Sequence, residues 1–205
     1  MANEISKPQP PALPLPPAEY GQRSFDQFNN VLRLFFRRLT STIDNLLSTD
    51  DGGKFLYFPR GLFYDTTDQT AAATNTGYAV EFGTTYIGNG VTVENDTEIT
   101  VQDDGVYNFQ VTLQFIHTNS SACDLYVWIN KNGTDVTYGG KRYTIKGNDY
   151  FSINWNFSID LDAGQYIEMY WATDDTGLEL HADAPTSPHP GIPSAVVAVT
   201  FVSNL

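Results

Sequence analysis

The chain has 205 residues, 24 of them acidic against 11 basic, for a net charge of −13, and it carries a single cysteine. One cysteine excludes an intramolecular disulfide framework, and a body of roughly 140 residues buries about two-thirds of its unfolded surface, enough for a core without one. The charge is uneven: residues 1–60 hold seven Lys/Arg against six Asp/Glu, and residues 61–205 hold four against eighteen. A body near −14 repels nucleic acid, which is therefore not expected as a partner. Met1 leads into a proline-rich polar segment with no basic n-region and no apolar h-region. No apolar run approaches the ~20 residues of a membrane span either, so neither a signal peptide nor membrane insertion is expected. The N-x-S/T triplets at Asn95, Asn119, Asn132 and Asn156 are then uninformative.

Residues 1–22 contain Pro8, Pro10, Pro11, Pro14, Pro16 and Pro17 around Leu13 and Leu15, ahead of Tyr20. Such a segment is pushed toward extended polyproline II and builds no core. It is either a free tail or an arm docked in a groove on a partner; the docked arm is the expectation, with Pro14, Pro16, Pro17 and Tyr20 as its anchoring residues. Residues 23–50 read as a helix. Ser24-x-x-Gln27 has the form of a capping box, and Phe25, Phe28, Leu32, Phe35, Leu39, Thr42 and Leu46 follow 3-4-3-4 spacing. That is a heptad seam of about three repeats. Val31, Phe36 and Ile43 widen the stripe beyond what a dimer needs, Arg33, Arg37 and Arg38 take the remaining surface, and Gly52-Gly53 closes it. The alternatives are a trimeric coiled-coil stalk and an amphipathic helix packed on its own domain.

Residues 51–205 read as a β body. Phe55–Phe63 is expected as its first strand and residues 65–77 as a long polar loop. Tyr78–Phe82, Tyr86–Ile87, Val91–Val93 and Thr97–Val101 are short strands set off by Gly83, Gly88, Gly90 and Asn95. From Gly105, Tyr107, Phe109, Val111, Leu113 and Phe115 alternate with Asn108, Gln110, Thr112 and Gln114, the period of a half-buried strand. After Asn119-Ser120-Ser121, Leu125, Val127 and Ile129 oppose Tyr126 and Trp128, so this second strand has no wet face and something must cover the two aromatics. Asn132-Gly133 ends it with a dipeptide that tolerates positive φ. Phe151–Leu161 is a third long alternating strand; Ile167, Met169 and Trp171 then oppose Tyr166, Glu168 and Tyr170. Leu178–Ala182 is a short strand, Pro185–Pro193 a rigid loop, and Val196–Val202 a closing strand apolar on both faces. Short strands with turn signals about every ten residues give an antiparallel sandwich.

Little in the chain suggests catalysis. His117, His181 and His189 are scattered, and no serine or cysteine lies in a nucleophile elbow. Cys123, two residues before an apolar strand, reads as a packed small residue. Neither H-x-x-x-H nor C-x-x-C occurs, so no metal and no cofactor are expected. Gly88-Asn89-Gly90 lacks the helix and lysine of a phosphate cradle. Asp103-Asp104, Asp160 with Asp162, and Asp174-Asp175 sit at strand ends, where solvated turn aspartates are the default over calcium ligands.

Two stretches resemble known families. Gly105-x-Tyr107-x-Phe109, with a second strand ending in Asn132-Gly133, resembles the globular heads of the tumour necrosis factor and complement superfamily, loosely from about Phe63 to Leu205. Gly164-Gln165-Tyr166-Ile167 stands where those heads have Gly-Asp, and the closing strand lacks their aromatic-glycine-aromatic pattern. The resemblance implies an antiparallel jelly roll assembled as a trimer, some relatives holding calcium near the apex. Pro16-Pro17-Ala18-Glu19-Tyr20, followed by Leu32-x-Leu34-Phe35-Phe36, resembles the beginnings of small virion proteins of tailed bacteriophages over about forty residues.

The expectation is a proline-rich arm (1–22), a trimeric helical stalk (23–50) and a jelly-roll knob (51–205). The expected trimer interface comprises Tyr126, Trp128, Tyr166 and Tyr170 on the knob and Phe25, Phe28, Leu32, Phe35 and Leu39 on the stalk. Functionally this is a non-enzymatic virion protein, a short fibre or capsid decoration held by its arm to other virion proteins. The alternative is a lectin-like module, a receptor-binding tail fibre whose partner is a host-surface glycan.

Overall fold

The computed structural model describes residues 11–13, 21–47 and 58–204. Prolines 14, 16 and 17, Tyr20, the diglycine and Phe55–Tyr57 lie outside them. The chain divides into two compact units, Met1–Phe58 and Pro59–Leu205.

In the first unit, helix α1 spans Gln22–Leu47. It starts earlier than the capping box implies. The Gly21 carbonyl accepts from the amides of Ser24 (3.0 Å) and Phe25 (3.2 Å), so Gly21 is the cap and Ser24 lies inside the first turn. Thr42, a polar residue in the apolar seam, is satisfied locally: its hydroxyl donates to the Arg38 carbonyl one turn back, at 2.9 Å.

The second unit is mainly β, with antiparallel sheets. Its strands are β1 (Arg60–Asp65), β2 (Gln69–Thr70), β3 (Tyr78–Ala79), β4 (Thr84–Asn89), β5 (Val91–Glu94), β6 (Glu98–Val101), β7 (Gly105–His117), β8 (Cys123–Lys131), β9 (Thr134–Ile145), β10 (Asp149–Leu161), β11 (Tyr166–Thr173), β12 (Leu178–Leu180) and β13 (Ala195–Ser203). One sheet centres on β7. All thirteen of its residues pair with β10 on one edge. On the other edge β13 pairs with Val106–Leu113 and β12 with Phe115–His117. β1 and β4 extend the sheet beyond β13, and β2 lies beyond β12. The other sheet runs β5–β6–β11–β8–β9, with β3 on the β6 side of β11. One buried cluster draws on both sheets, and Phe115 of β7 meets Trp171 of β11 edge-on at 5.6 Å. Such a shared core is the arrangement of a β sandwich.

β7 and β8 follow one another in sequence but lie in different sheets. Other strands differ from the expectation. The loop expected at 65–77 contains β2, and Tyr78–Phe82 contributes only the two residues of β3. β13 is fully buried on one face and partly covered on the other: Ala195, Val197, Val199 and Phe201 are buried, Val196 and Ala198 half-buried and Thr200 exposed. β9 carries no alternating signal. It is an edge strand, exposed over most of its length, with Tyr138 at φ 62° and a register shift opposite Trp128–Asn130. The Asn132-Gly133 turn that joins it to β8 has φ of 50° and 76°, the left-handed pair of a two-residue hairpin.

The Gly-x-Tyr-x-Phe stretch has a packing explanation. A Cβ on Gly105 would overlap the Phe201 ring and lie 2.8 Å from the Ser203 carbonyl oxygen, so β13 passes too close for any side chain. The Tyr107 hydroxyl donates to the Asp103 carbonyl at 2.7 Å and holds the preceding turn. Burial, and then Asp103 beside it, push its pKa far up. Phe109 stacks on Phe157 of β10 at 5.2 Å and 6°. Gly105→Ala is expected to destabilise the body by about 1–3 kcal/mol through overpacking, measured by denaturant unfolding; an unchanged midpoint would show that β13 yields freely.

Candidate functional site

The outward face of β8 and β11 carries an aromatic stripe. Strand alternation sends Leu125, Val127, Ile129, Ile167, Met169 and Trp171 into the core and leaves Tyr126, Trp128, Tyr166 and Tyr170 outside. Register then joins them: Trp128 lies opposite Tyr170 and Tyr126 opposite Ala172. Tyr166 follows beside Asn132, whose amide and side-chain oxygen bond its backbone. The Trp128 and Tyr170 rings stack at 5.6 Å and 25°. Trp128 Nε1 donates to Asp135 Oδ1 at 2.8 Å, and Asn130 Nδ2 donates to the same oxygen at 3.2 Å.

The stripe has charged borders. Arg142 lies 5.5 Å over the Tyr126 ring and is paired with Asp124. The hydrogen bonds from Arg142 and then Thr144 hold the Asp124 carboxyl below its ordinary pKa. At the other end Glu168, buried, accepts from Thr97 Oγ1 at 2.8 Å. Desolvation raises the phenol pKa of Tyr170 and Tyr166, with Glu168 and Glu98 adding to it. Part of the cover expected over Trp128 comes from the chain itself: a Cβ on Gly77 would lie 3.0 Å from the indole and 3.5 Å from Tyr170. Tyr126 remains 38 % exposed.

Helix α1 presents a second apolar surface. Phe25, Leu34, Phe36 and Ile43 are exposed, Phe36 at 57 %, while Phe28, Leu32, Phe35 and Leu39 are half-buried. Leu34, Phe36 and Ile43 thus leave large apolar side chains exposed on one 26-residue helix, and isolated helices are marginal in water and draw their stability from a packed face.

A third group was not legible as a unit. The structure brings three residues together: Cys123 Sγ lies 3.6 Å from His117 Nδ1, and His117 Nε2 lies 3.2 Å from Asp175 Oδ2. Cysteine, histidine and aspartate are the ingredients of a nucleophilic set, but this thiol is buried and desolvation raises its pKa, opposite to what a nucleophile needs. The group instead ties three turns. His117 Nδ1 also sits 3.1 Å from the Lys146 carbonyl. Asp175 Oδ1 accepts from Gly177 N at 2.9 Å and Asn119 Nδ2 at 2.6 Å. The Asn148 amide donates to the Asn119 carbonyl at 2.9 Å. Two other turn aspartates serve backbone groups too: Asp104 accepts from Ala163 N at 2.7 Å, and Asp174 from Asp124 N at 2.7 Å.

Finally, an open cleft of about 960 Å³ lies along β1 and β13, below the loop that follows β12. Tyr64, Tyr86, Ile192 and Val196 give it apolar walls, and Asp68 and Asp183 stand in its lining. Tyr86 is 70 % exposed.

The Asp175 clamp makes stability pH-dependent. Its folded pKa is lowered, first by the Gly177 amide and also by Asn119 and His117, against the opposing effect of burial. A depressed carboxylate contributes its full stabilisation above the unfolded pKa of about 3.9, and that contribution is lost as pH falls through the lower folded value. Asp175→Ala is expected to cost about 1.5–3 kcal/mol at neutral pH, the range for hydrogen bonds to a charged group. It should also flatten the acid limb of a melting-temperature profile below pH ~4. Equal acid sensitivity in variant and wild type would remove Asp175 from the account. No family model matches the chain, and no curated protein matches it.

Proposed function

We propose that the chain is a structural protein of a tailed-phage virion, a homotrimeric short fibre or capsid decoration that is held by its N-terminal arm and displays the β body. The observation that carries the self-association is the uncovered apolar stripe of α1. Its 3-4-3-4 seam suits a parallel bundle, and the flanking Phe36 and Ile43 suit more than two helices. The outward stripe of Tyr126, Trp128, Tyr166 and Tyr170 offers the body a contact of its own, since buried aromatics carry much of the energy at protein interfaces. The virion assignment is supported by the likeness of the proline-rich segment and the helix to the beginnings of phage virion proteins. The knob is read as a jelly roll of the tumour necrosis factor type. Supporting that reading, β6 to β12 repeatedly cross between the sheets, with β8–β9 the hairpin that stays in one, and β1 pairs with β13. The acidic body engages neither nucleic acid nor membrane in this reading, and no catalytic role is assigned to it.

One observation favours the second reading, a glycan-binding module. The cleft sets Tyr64 and Tyr86 beside Asp68 and Asp183, an aromatic platform with hydrogen-bonding carboxylates. A glycan array separates the two readings. Saturable binding that is lost in Tyr86→Ala favours the lectin, and no binding leaves the fibre or decoration reading in place.

The assembly reading is tested by sedimentation velocity at micromolar concentration. Leu32→Asp combined with Phe35→Asp should dissolve the helical contact, and Trp128→Asp should weaken the contact between bodies. Sedimentation of both variants like wild type would place the contact elsewhere. Removal of residues 1–22 should leave the melting temperature within error and abolish incorporation into particles; normal incorporation would rule out the anchoring arm.

A further inference from the structure

We propose that Asp68, Glu179 and His181 form a binding site for one divalent transition-metal ion of the zinc class, with Asp68 shared between this site and the cleft. Their ligand atoms all lie within 4.8 Å of one another. His181 Nδ1 is 3.0 Å from Asp68 Oδ1 and 3.9 Å from Glu179 Oε1. Oxygen and nitrogen ligands at about 2.0–2.1 Å from a tetrahedral zinc stand about 3.3 Å apart, so the trio is close to the required spread.

Strand geometry explains the cluster. Glu179 and His181 are two residues apart along β12 and its continuation, and so share one face of the sheet. Glu179 pairs with Thr70 and Leu180 with Gln69, which brings Asp68 opposite His181 as the register continues. The ligands therefore come from an i, i+2 pair and a cross-strand neighbour more than a hundred residues away. Metal motifs built on helices or tight loops do not show this spacing, which is why the sequence reading expects no metal.

Electrostatics point to a cation between these atoms. His181 Nε2 faces Asp183 Oδ1 at 3.3 Å. Gln114 Nε2 holds the other Asp183 oxygen at 3.4 Å and the His181 carbonyl at 3.3 Å. Carboxylates face both ring nitrogens, Asp68 at 3.0 Å from Nδ1 and Asp183 at 3.3 Å from Nε2; with the proton on Nε2, Nδ1 keeps the lone pair that a metal ion would take, the usual outer-shell arrangement of a metal-binding histidine. Yet Nδ1 is buried, approaches Asp68 and Glu179, which are acceptors when ionised, and makes no hydrogen bond with either. A lone pair against two carboxylates is repulsive unless a proton or a metal ion lies between them. Asp68 is itself oriented, since its Oδ1 accepts from the Ala182 amide at 2.8 Å. One imidazole and two carboxylates suit zinc, cobalt or manganese better than calcium, which takes oxygen ligands. Three protein ligands leave a fourth position of a tetrahedral ion for water or a cleft-bound ligand.

The test is calorimetric titration of zinc chloride into the full-length protein, first stripped of metal with EDTA and dialysed. The expected result is saturable binding of one ion per chain, with an enthalpy that depends on the buffer if a proton leaves His181. His181→Gln and Asp68→Asn should each weaken binding at least about tenfold, while His189→Ala, in the exposed loop, should keep wild-type affinity. Metal-free melting temperatures check that the variants fold; Glu179→Gln replaces any that does not. Zinc should raise the melting temperature of wild type and not of the ligand variants. Absence of saturable binding, or binding that the ligand variants leave unchanged, would overturn the site.

Discussion

The two-sided pairing of β7 is the constraint on which the β body depends. All thirteen residues lie in register with β10 along one edge, and β13 and β12 share the other end to end. A central strand with both ladders filled leaves its backbone polar groups satisfied in a dry interior, where each unmet group would be costly. It also fixes direction: with the register pinned, Tyr107, Phe109, Val111, Leu113 and Phe115 face the core, and Asn108, Gln110 and Thr112 face out. The polar side chains reinforce the ladder on that outer face. Asn108 donates to Asn156 at 2.7 Å, and Thr112 to Asn154 at 3.0 Å. A slip of one residue would exchange the two faces and bury this amide row.

The same constraint separates what could be read in the sequence from what could not. β7, β10 and the β8–β11 alternation were legible because one side of each is buried and a period of two is written in residue type. β9 was not, because an exposed edge strand has no buried face to impose alternation. The start of α1 was misplaced for a local reason: Ser24-x-x-Gln27 has the composition of a cap, but Gly21 receives the first amides. The candidate sites divide in the same way. The aromatic stripe was visible because its members lie on two alternating strands, and pairing placed Trp128 against Tyr170. The His117–Cys123–Asp175 clamp and the Asp68–Glu179–His181 trio join residues that only folding brings together, and no spacing rule in one dimension contains them.

What these surfaces have in common is a shortage of cover. The helix exposes phenylalanine and leucine, and the stripe exposes tyrosine beside a half-buried tryptophan, on a chain whose body is strongly acidic. Burying apolar area is worth about 25 cal/mol per Å², so a few large side chains brought together on each of three helices can offset the charge repulsion between bodies. Self-association through such surfaces is also what an appendage requires, because several weak arms joined in one object bind a particle with the avidity of all of them.

The central claim is that three copies of this chain assemble through those surfaces, and the mass of the intact assembly tests it most directly. Native mass spectrometry of the full-length wild-type protein at micromolar concentration should show one dominant species at three times the 22.8 kDa chain mass. A spectrum dominated by the single-chain mass would contradict the account, and the apolar stripe of α1 would then need a partner other than its own copies.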